Sequence, residues 1–202
     1  MTVSNHTPRN PRINDGDTSA QYPHLFERTV AQSVVHTGTV ITTRRDEAEL
    51  PDGQRATRDV VEHPGGVVIL PVLDDGRILL VRQWRYPLGR TLIEVPAGKL
   101  DPGEHADPMA AARRELMEET GYEPAHMEEL TSIYTSPGFC DERLWLYKAT
   151  GLRKIADHND VKADDEFIDL LTVTVDEAFA MARSGEILDA KTLCLFWFLA
   201  TG

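Results

Sequence analysis

Between Gly98 and Tyr122 the chain reads Gly98-Lys-Leu-Asp-Pro-Gly-Glu104 and then Arg114-Glu115-Leu-Met-Glu118-Glu119-Thr-Gly121-Tyr122, a string that limits the fold more than any other stretch. Its punctuation is that of one helix. Asp107 suits the N-cap, Pro108 the first helical position and Gly121 the left-handed stop, so the spacing predicts a helix over about 108–120. At 3.6 residues per turn Met109, Ala112, Leu116 and Thr120 share one stripe that faces a core. Glu115 and Glu119 lie one turn apart beside that stripe, with Glu118 flanking them. Like charges at this spacing repel by about 0.2–0.5 kcal/mol on an exposed face, and more strongly where water is partly excluded. A hard divalent cation removes the repulsion. Oxygen-only ligands suit Mg²⁺ or Mn²⁺, whereas zinc would call for His or Cys at these positions. An isolated E-x-x-E-E would be read as a solvated acidic face, but this string is much longer.

The string resembles the Nudix box: glycine, five residues, glutamate, seven residues, Arg-Glu, an aliphatic residue, any residue, Glu-Glu, any residue, glycine and an aliphatic residue. Every fixed type has its match, with Tyr122 in the last aliphatic place. One spacing departs, because nine residues rather than seven separate Glu104 from Arg114. The resemblance implies that the carbonyl of Ala97, just before Gly98, and the carboxylates of Glu115 and Glu119 hold the metal, with Glu118 as an outer or shared ligand. It implies for Glu104 and Arg114 a charge-assisted pair bracing the loop against the helix. Gly98 and Gly121 take structural places.

The 202 residues, 41% of them apolar, allow one good core and a small appendage, not two large domains. A formal charge of −12 argues against a general nucleic-acid binder, which needs a basic field. It leaves room for a small anionic substrate, since metal ions and a few arginines reverse the potential locally. Cys140 and Cys194 stand far apart and in no C-x-x-C pattern, so neither a disulfide framework nor a zinc site is expected. Without a basic-then-apolar leader or an apolar run of membrane length, the expectation is a cytoplasmic protein with no membrane partner.

Residues 1–21 are poor in large apolar groups and read as a disordered tail. Residues 22–64 alternate apolar and polar types, with Pro51-Asp-Gly53 as a turn between strands near 39–46 and 54–62; this predicts a small antiparallel sheet. Residues 65–202 form the expected catalytic domain. There Gly65-Gly66-Val-Val-Ile-Leu begins a buried strand, Asp74-Asp-Gly76 is a hairpin turn, and Arg77–Trp84 returns. Thr91–Pro96 enters the acidic helix. Further strands are expected near 125–135, 142–149 and 167–173, and helices over 176–184 and 189–200. The fold class is therefore α/β: an α/β/α sandwich with a mixed sheet, plus the small N-terminal antiparallel sheet. The Nudix resemblance implies the same.

Carboxylate-held cations beside a cleft suit attack by water on a diphosphate. Cys140 has no nearby His and reads as inert. The substrate class rests on words outside the box. Pro137, in Ser136-Pro137-Gly138-Phe139, stands sixteen residues after Gly121, a spacing that resembles the ADP-ribose pyrophosphatase branch of the family. Taken alone, Ser-Pro-Gly is a common turn word. Arg58-Asp-Val-Val-Glu-His63, Val81-Arg-Gln-Trp-Arg85-Tyr, Glu94-Val-Pro-Ala-Gly98 and Asp164-Asp-Glu166-Phe-Ile extend the likeness over about 39–199.

From the likeness, Arg85 is the expected diphosphate contact and Arg82 the second candidate, which a regular strand turns to the opposite face because residues three apart face opposite sides. Glu94 touches substrate or buttresses the arginines, and Gly138 and Phe139 belong to the substrate loop. In the resembled branch a carboxylate from the acidic loop completes the metal site or activates water; Glu166 is the first candidate and Asp164 the second. That branch also swaps its N-terminal sheet across a homodimer, which would bring Arg58 and an aromatic residue, Phe26 or Tyr22, to the partner's adenine pocket. The expected activity is Mg²⁺- or Mn²⁺-dependent hydrolysis of ADP-ribose or a related nucleoside diphosphate sugar. A GDP- or UDP-hexose is the rival substrate, and a non-catalytic nucleotide sensor is the rival class.

Overall fold

The computed structural model describes residues 18–157 and 167–201. The expected tail therefore lies outside the described residues except for 18–21, which enter a turn in which Gln21 N donates to Thr18 O at 3.0 Å. The chain divides into two compact units.

The first unit holds the described residues up to Pro64 together with Ser136–Glu142. Its sheet is antiparallel in the order β1 (Arg28–Thr37), β2 (Thr42–Glu49), β3 (Arg55–Glu62). A buried ion pair supports it from within: Arg44 donates to Asp46 at 3.0 Å and also bonds Glu62. The Ser136–Glu142 loop lies along β3, with Val61 N donating to Phe139 O at 2.7 Å and Asp141 N to Val61 O at 3.1 Å. The loop joins this unit from far along the chain. Every residue of β1 is exposed.

The second unit is layered. A four-stranded mixed sheet runs in the order β7 (Ala97–Lys99), β4 (Gly66–Pro71), β9 (Arg143–Lys154), β8 (Tyr122–Tyr134). β4 pairs parallel with β9 and antiparallel with β7. Both faces are covered, so the period of two splits its apolar residues between two cores. Val67, Ile69, Trp145, Tyr147 and Ala149 meet Ala112 and Leu116 of helix α1 (Pro108–Thr120). Val68, Leu70, Leu144 and Leu146 face the other way. They pack with β5 (Ile78–Arg85) and β6 (Arg90–Glu94), and with helices α2 (Val175–Ser184) and α3 (Ala190–Thr201). β5 lies in a second, three-stranded sheet between β6 and β10 (Ile168–Val173). Helices on opposite sides of the strands make the α/β/α sandwich.

The hairpin at Asp74-Asp-Gly76 needs correction. The turn forms, with Gly76 at φ 82° and Leu73 N donating to Arg77 O at 2.8 Å. Beyond the single bridge Val72–Ile78, however, the strands on either side part into different sheets. β9 lies along one edge of β4 and β7 along Gly66–Val68 of the other, while β5 pairs with β6 and β10.

Candidate active site

Helix α1 is held at both ends by the residues its sequence offers. Asp107 Oδ1 accepts from Ala110 N at 3.0 Å, Pro108 occupies the first turn, and Gly121 ends the helix at φ 75° with its N–H on Met117 O at 2.8 Å. The ends of the helix are thereby fixed, and the burial of its stripe of Ala112, Leu116 and Thr120 sets its rotation. Two carboxylates are buried with it: Glu115 is 8% exposed and Glu119 only 3%.

Both meet β7. Glu119 Oε2 accepts from Ala97 N at 3.0 Å. The Glu115 carboxyl carbon lies 1.9 Å from the point where a Cβ on Gly98 would sit, so any side chain at 98 would overlap it. Ala97, Gly98, Glu115 and Glu119 thus come together at the edge strand of the mixed sheet.

Arg114 turns to the other side. Its Nε and Nη2 donate to the two oxygens of Glu104, each at 3.0 Å, while Nη1 reaches Glu118 at 2.8 Å and Glu115 at 2.9 Å. Glu104 also accepts from Asp101 N at 2.7 Å, and the Arg114 hydrogen bonds hold its carboxyl below the ordinary carboxylate pKa. The two-residue expansion after Glu104 is absorbed in a short 3₁₀ turn over Glu104–Ala106, so the Glu104–Arg114 pair survives it. Glu118, expected as an outer or shared ligand, is engaged by Arg114.

A second charged group stands on β5 and β6. Glu94 is fully buried, and Arg85 grips it from both sides, Nε to Oε1 at 2.7 Å and Nη2 to Oε2 at 2.6 Å. Lys191 of α3 bonds the same Oε2. Burial disfavours the charged carboxylate, but the Arg85 hydrogen bonds and the Lys191 charge outweigh it and lower the Glu94 pKa. The hydrogen bonds to Glu94 raise the Arg85 pKa against the effect of burial, and the charges of Glu94, Glu119 and Asp189 add to the rise. Arg82 lies in the same strand, whose regularity through residue 85 turns the two arginines to opposite faces. It lines a separate surface hollow with Trp84, Thr91, Phe167 and Asp169.

The remaining sequence candidates lie elsewhere. Arg58 is in the first unit, donating to Glu27 at 2.9 and 2.7 Å, as are the exposed Tyr22, Phe26 and Phe139. Pro137 and Gly138 belong to the same unit's loop. Asp164, Asp165 and Glu166 lie outside the described residues. Lys191 was not singled out by the sequence; its one local signal is Asp189, which caps the start of α3 through Thr192 N at 3.0 Å.

The donors at β7 and α1 are oxygens only, a set that suits a hard divalent ion. Among the described residues no three His, Cys, Asp or Glu side chains gather around one point, so the side chains described supply two carboxylates. Mg²⁺ commonly binds through one or two carboxylates and takes water and phosphate oxygens for the rest, so the residues fit.

Fold and site together define an α/β/α sandwich that presents buried helix carboxylates at an edge strand and, on β5, an arginine anchored to a buried glutamate. The NUDIX domain family matches residues 62–196, and the chain belongs to the Nudix family. It is 41% identical over 175 residues to the ADP-ribose pyrophosphatase of Bacillus subtilis (strain 168), covering 87% of this chain and 93% of that one. It is 43% identical over 176 residues to the methanol dehydrogenase activator of Bacillus methanolicus, covering 87% and 94%. A GDP-mannose pyrophosphatase of Pectobacterium atrosepticum is 34% identical over 148 residues, 70% of this chain and 75% of that one. Among solved structures, an ADP compounds hydrolase superposes with a TM-score of 0.75 over 88% of this chain and 94% of that chain; at 18% identity the likeness is one of fold.

Proposed function

We propose that this protein hydrolyses the diphosphate bond of ADP-ribose or a related nucleoside diphosphate sugar, giving AMP and ribose 5-phosphate from the former. The observation that carries the reading is the meeting of buried Glu115 and Glu119 with the backbone at Ala97 and Gly98. The ADP-ribose pyrophosphatase relative supports the substrate class, and the GDP-mannose pyrophosphatase relative keeps a hexose substrate in contention.

In this reading Ala97, Glu115 and Glu119 hold Mg²⁺ or Mn²⁺, with Glu118 and Glu166 as further ligands. The ion, when bound, neutralises phosphate oxygens and supplies Lewis acidity. The chain's own groups do the rest. Arg85, anchored by Glu94, offers its outer N–H groups to the diphosphate. A carboxylate, Glu166 first, then Asp164 or Glu118, takes the proton of the attacking water. Water adds to one phosphorus, the bridging P–O bond breaks, and the leaving phosphate departs as the second product. Arg82, Arg58, Phe26, Gly138 and Phe139 stand as substrate contacts in the same proposal, and the exposed β1 supports a homodimer that exchanges N-terminal sheets.

The test is turnover across a panel of ADP-ribose, GDP-mannose and UDP-glucose with Mg²⁺, then with EDTA. Products from ¹⁸O-labelled water identify the phosphorus attacked. Full activity in chelator, or no turnover of any diphosphate sugar, would overturn the reading.

A further inference from the structure

Lys191 sits in the first turn of α3 with its side chain only 13% exposed, bonded to Glu94 Oε2 and 2.9 Å from Asp189. The start of α3 is pinned to the end of β6 a second time, because Val95 N donates to Thr192 Oγ1 at 3.0 Å. Two cations therefore share the single buried carboxylate of Glu94: Arg85 from the strand and Lys191 from the helix. We infer that Lys191 is a positioning residue for diphosphate cleavage, acting through Glu94 on Arg85. The inference rests on the hydrolytic reading given above.

The physical case is one of charge. Arg85 and Lys191 balance Glu94 and Asp189, so the four groups together are neutral. With Lys191 gone, Arg85 would be the sole counter-charge of a fully buried carboxylate, and Glu94, Asp189 and Arg85 together would carry a net negative charge. Its guanidinium would be spent on Glu94, and an incoming diphosphate would meet repulsion in place of a cation. With Lys191 present, Glu94 is satisfied from behind. Arg85 is then held by Nε and Nη2, while Nη1 makes no hydrogen bond among the described residues and is left for an anion. The Arg85 side chain is 37% exposed, consistent with an outward edge.

The experiment measures binding of inorganic pyrophosphate with Mg²⁺ by titration calorimetry, and KM and kcat on the diphosphate sugars, for wild type, Lys191→Met, Lys191→Arg, Arg85→Ala and the Arg85→Ala/Lys191→Met double variant. Lys191→Met is expected to weaken pyrophosphate binding by about tenfold, the scale of one charged hydrogen bond, and to raise KM more than it lowers kcat. Lys191→Arg restores most of the loss, and in the Arg85→Ala background Lys191→Met costs nothing further. A merely structural lysine would lower thermal stability and leave the split between KM and kcat unmoved. Unchanged pyrophosphate affinity in Lys191→Met, a loss that adds to that of Arg85→Ala, or a wild type that does not bind pyrophosphate overturns the inference. Wild type that binds pyrophosphate but turns over no diphosphate sugar overturns the hydrolytic reading instead, and leaves the placement of Lys191 standing.

Discussion

Gly98 has no side chain because the Glu115 carboxylate occupies the place where one would go. The contact is with the far end of a flexible side chain, so Gly98→Ala is expected to fold with little loss of melting temperature while pushing that carboxylate aside. If Glu115 holds the metal as proposed, a displacement on the order of 1 Å there costs about a hundredfold in rate; kcat/KM should fall by that order in steady-state assays, and calorimetry should show the fold intact. Glu94 makes the opposite case. It is fully buried and bound by two cations, so Glu94→Gln leaves Arg85 and Lys191 short of a counter-charge and should cost about 3 kcal/mol in urea unfolding. Its folded pKa lies below the ordinary 4.5, so the stability it contributes is fully present above that value. It is lost as the pH falls further, through the folded pKa. The gap between wild type and Glu94→Gln should therefore be constant from neutral pH down to the ordinary carboxylate range and shrink below it. A gap that widened in acid would contradict the direction of the shift. The residues of the helix string could be read from spacing alone, because caps, stripe and carboxylates obey one local period. Lys191 could not: its partner stands ninety-seven residues earlier, and no periodicity links a helix N-terminus to a distant buried glutamate.

At the scale of elements, α1 shows how local signals fix a functional face. The Asp107 cap sets where the helix starts, and the buried stripe of Ala112, Leu116 and Thr120 sets the rotation that turns Glu115 and Glu119 inward. Asp107→Ala removes an acceptor from the first turn and should cost about 1 kcal/mol of stability by denaturant titration. The hairpin at Gly76 marks where such signals stop. Turn chemistry predicted the reversal correctly, but strand pairing is settled by long-range partners: β4 pairs with β7 and β9, and β5 with β6 and β10. The same limit explains the Ser136–Glu142 loop, whose turn word is plain in the sequence while its ladder contact with Val61 is not. Edge strands bear this out from the other direction: Pro124 is tolerated in β8, which lies at the border of the mixed sheet, where a missing N–H disturbs no second neighbour.

For the whole molecule the exposed strand is β1. It is ten residues long, forms the edge of its sheet and is exposed throughout, with Val30, Val34 and Val35 among its outward groups. A three-stranded sheet needs a packed face to be stable, and an open apolar edge invites another strand. We expect a second copy of the chain to provide it. Bringing together two chains that each carry −12 is repulsive, so the contact must gain from apolar burial rather than from ion pairs. Salt then screens the repulsion and leaves the apolar gain. The dimer should accordingly tighten as sodium chloride rises from low to physiological concentration, the reverse of an interface held by salt bridges. Light scattering over a dilution series should give twice the chain mass for wild type and the single mass for Val30→Asp/Val34→Asp. A wild type that stays monomeric at every salt concentration would leave β1 as a solvent-facing strand and remove the exchanged dimer from the proposed mechanism.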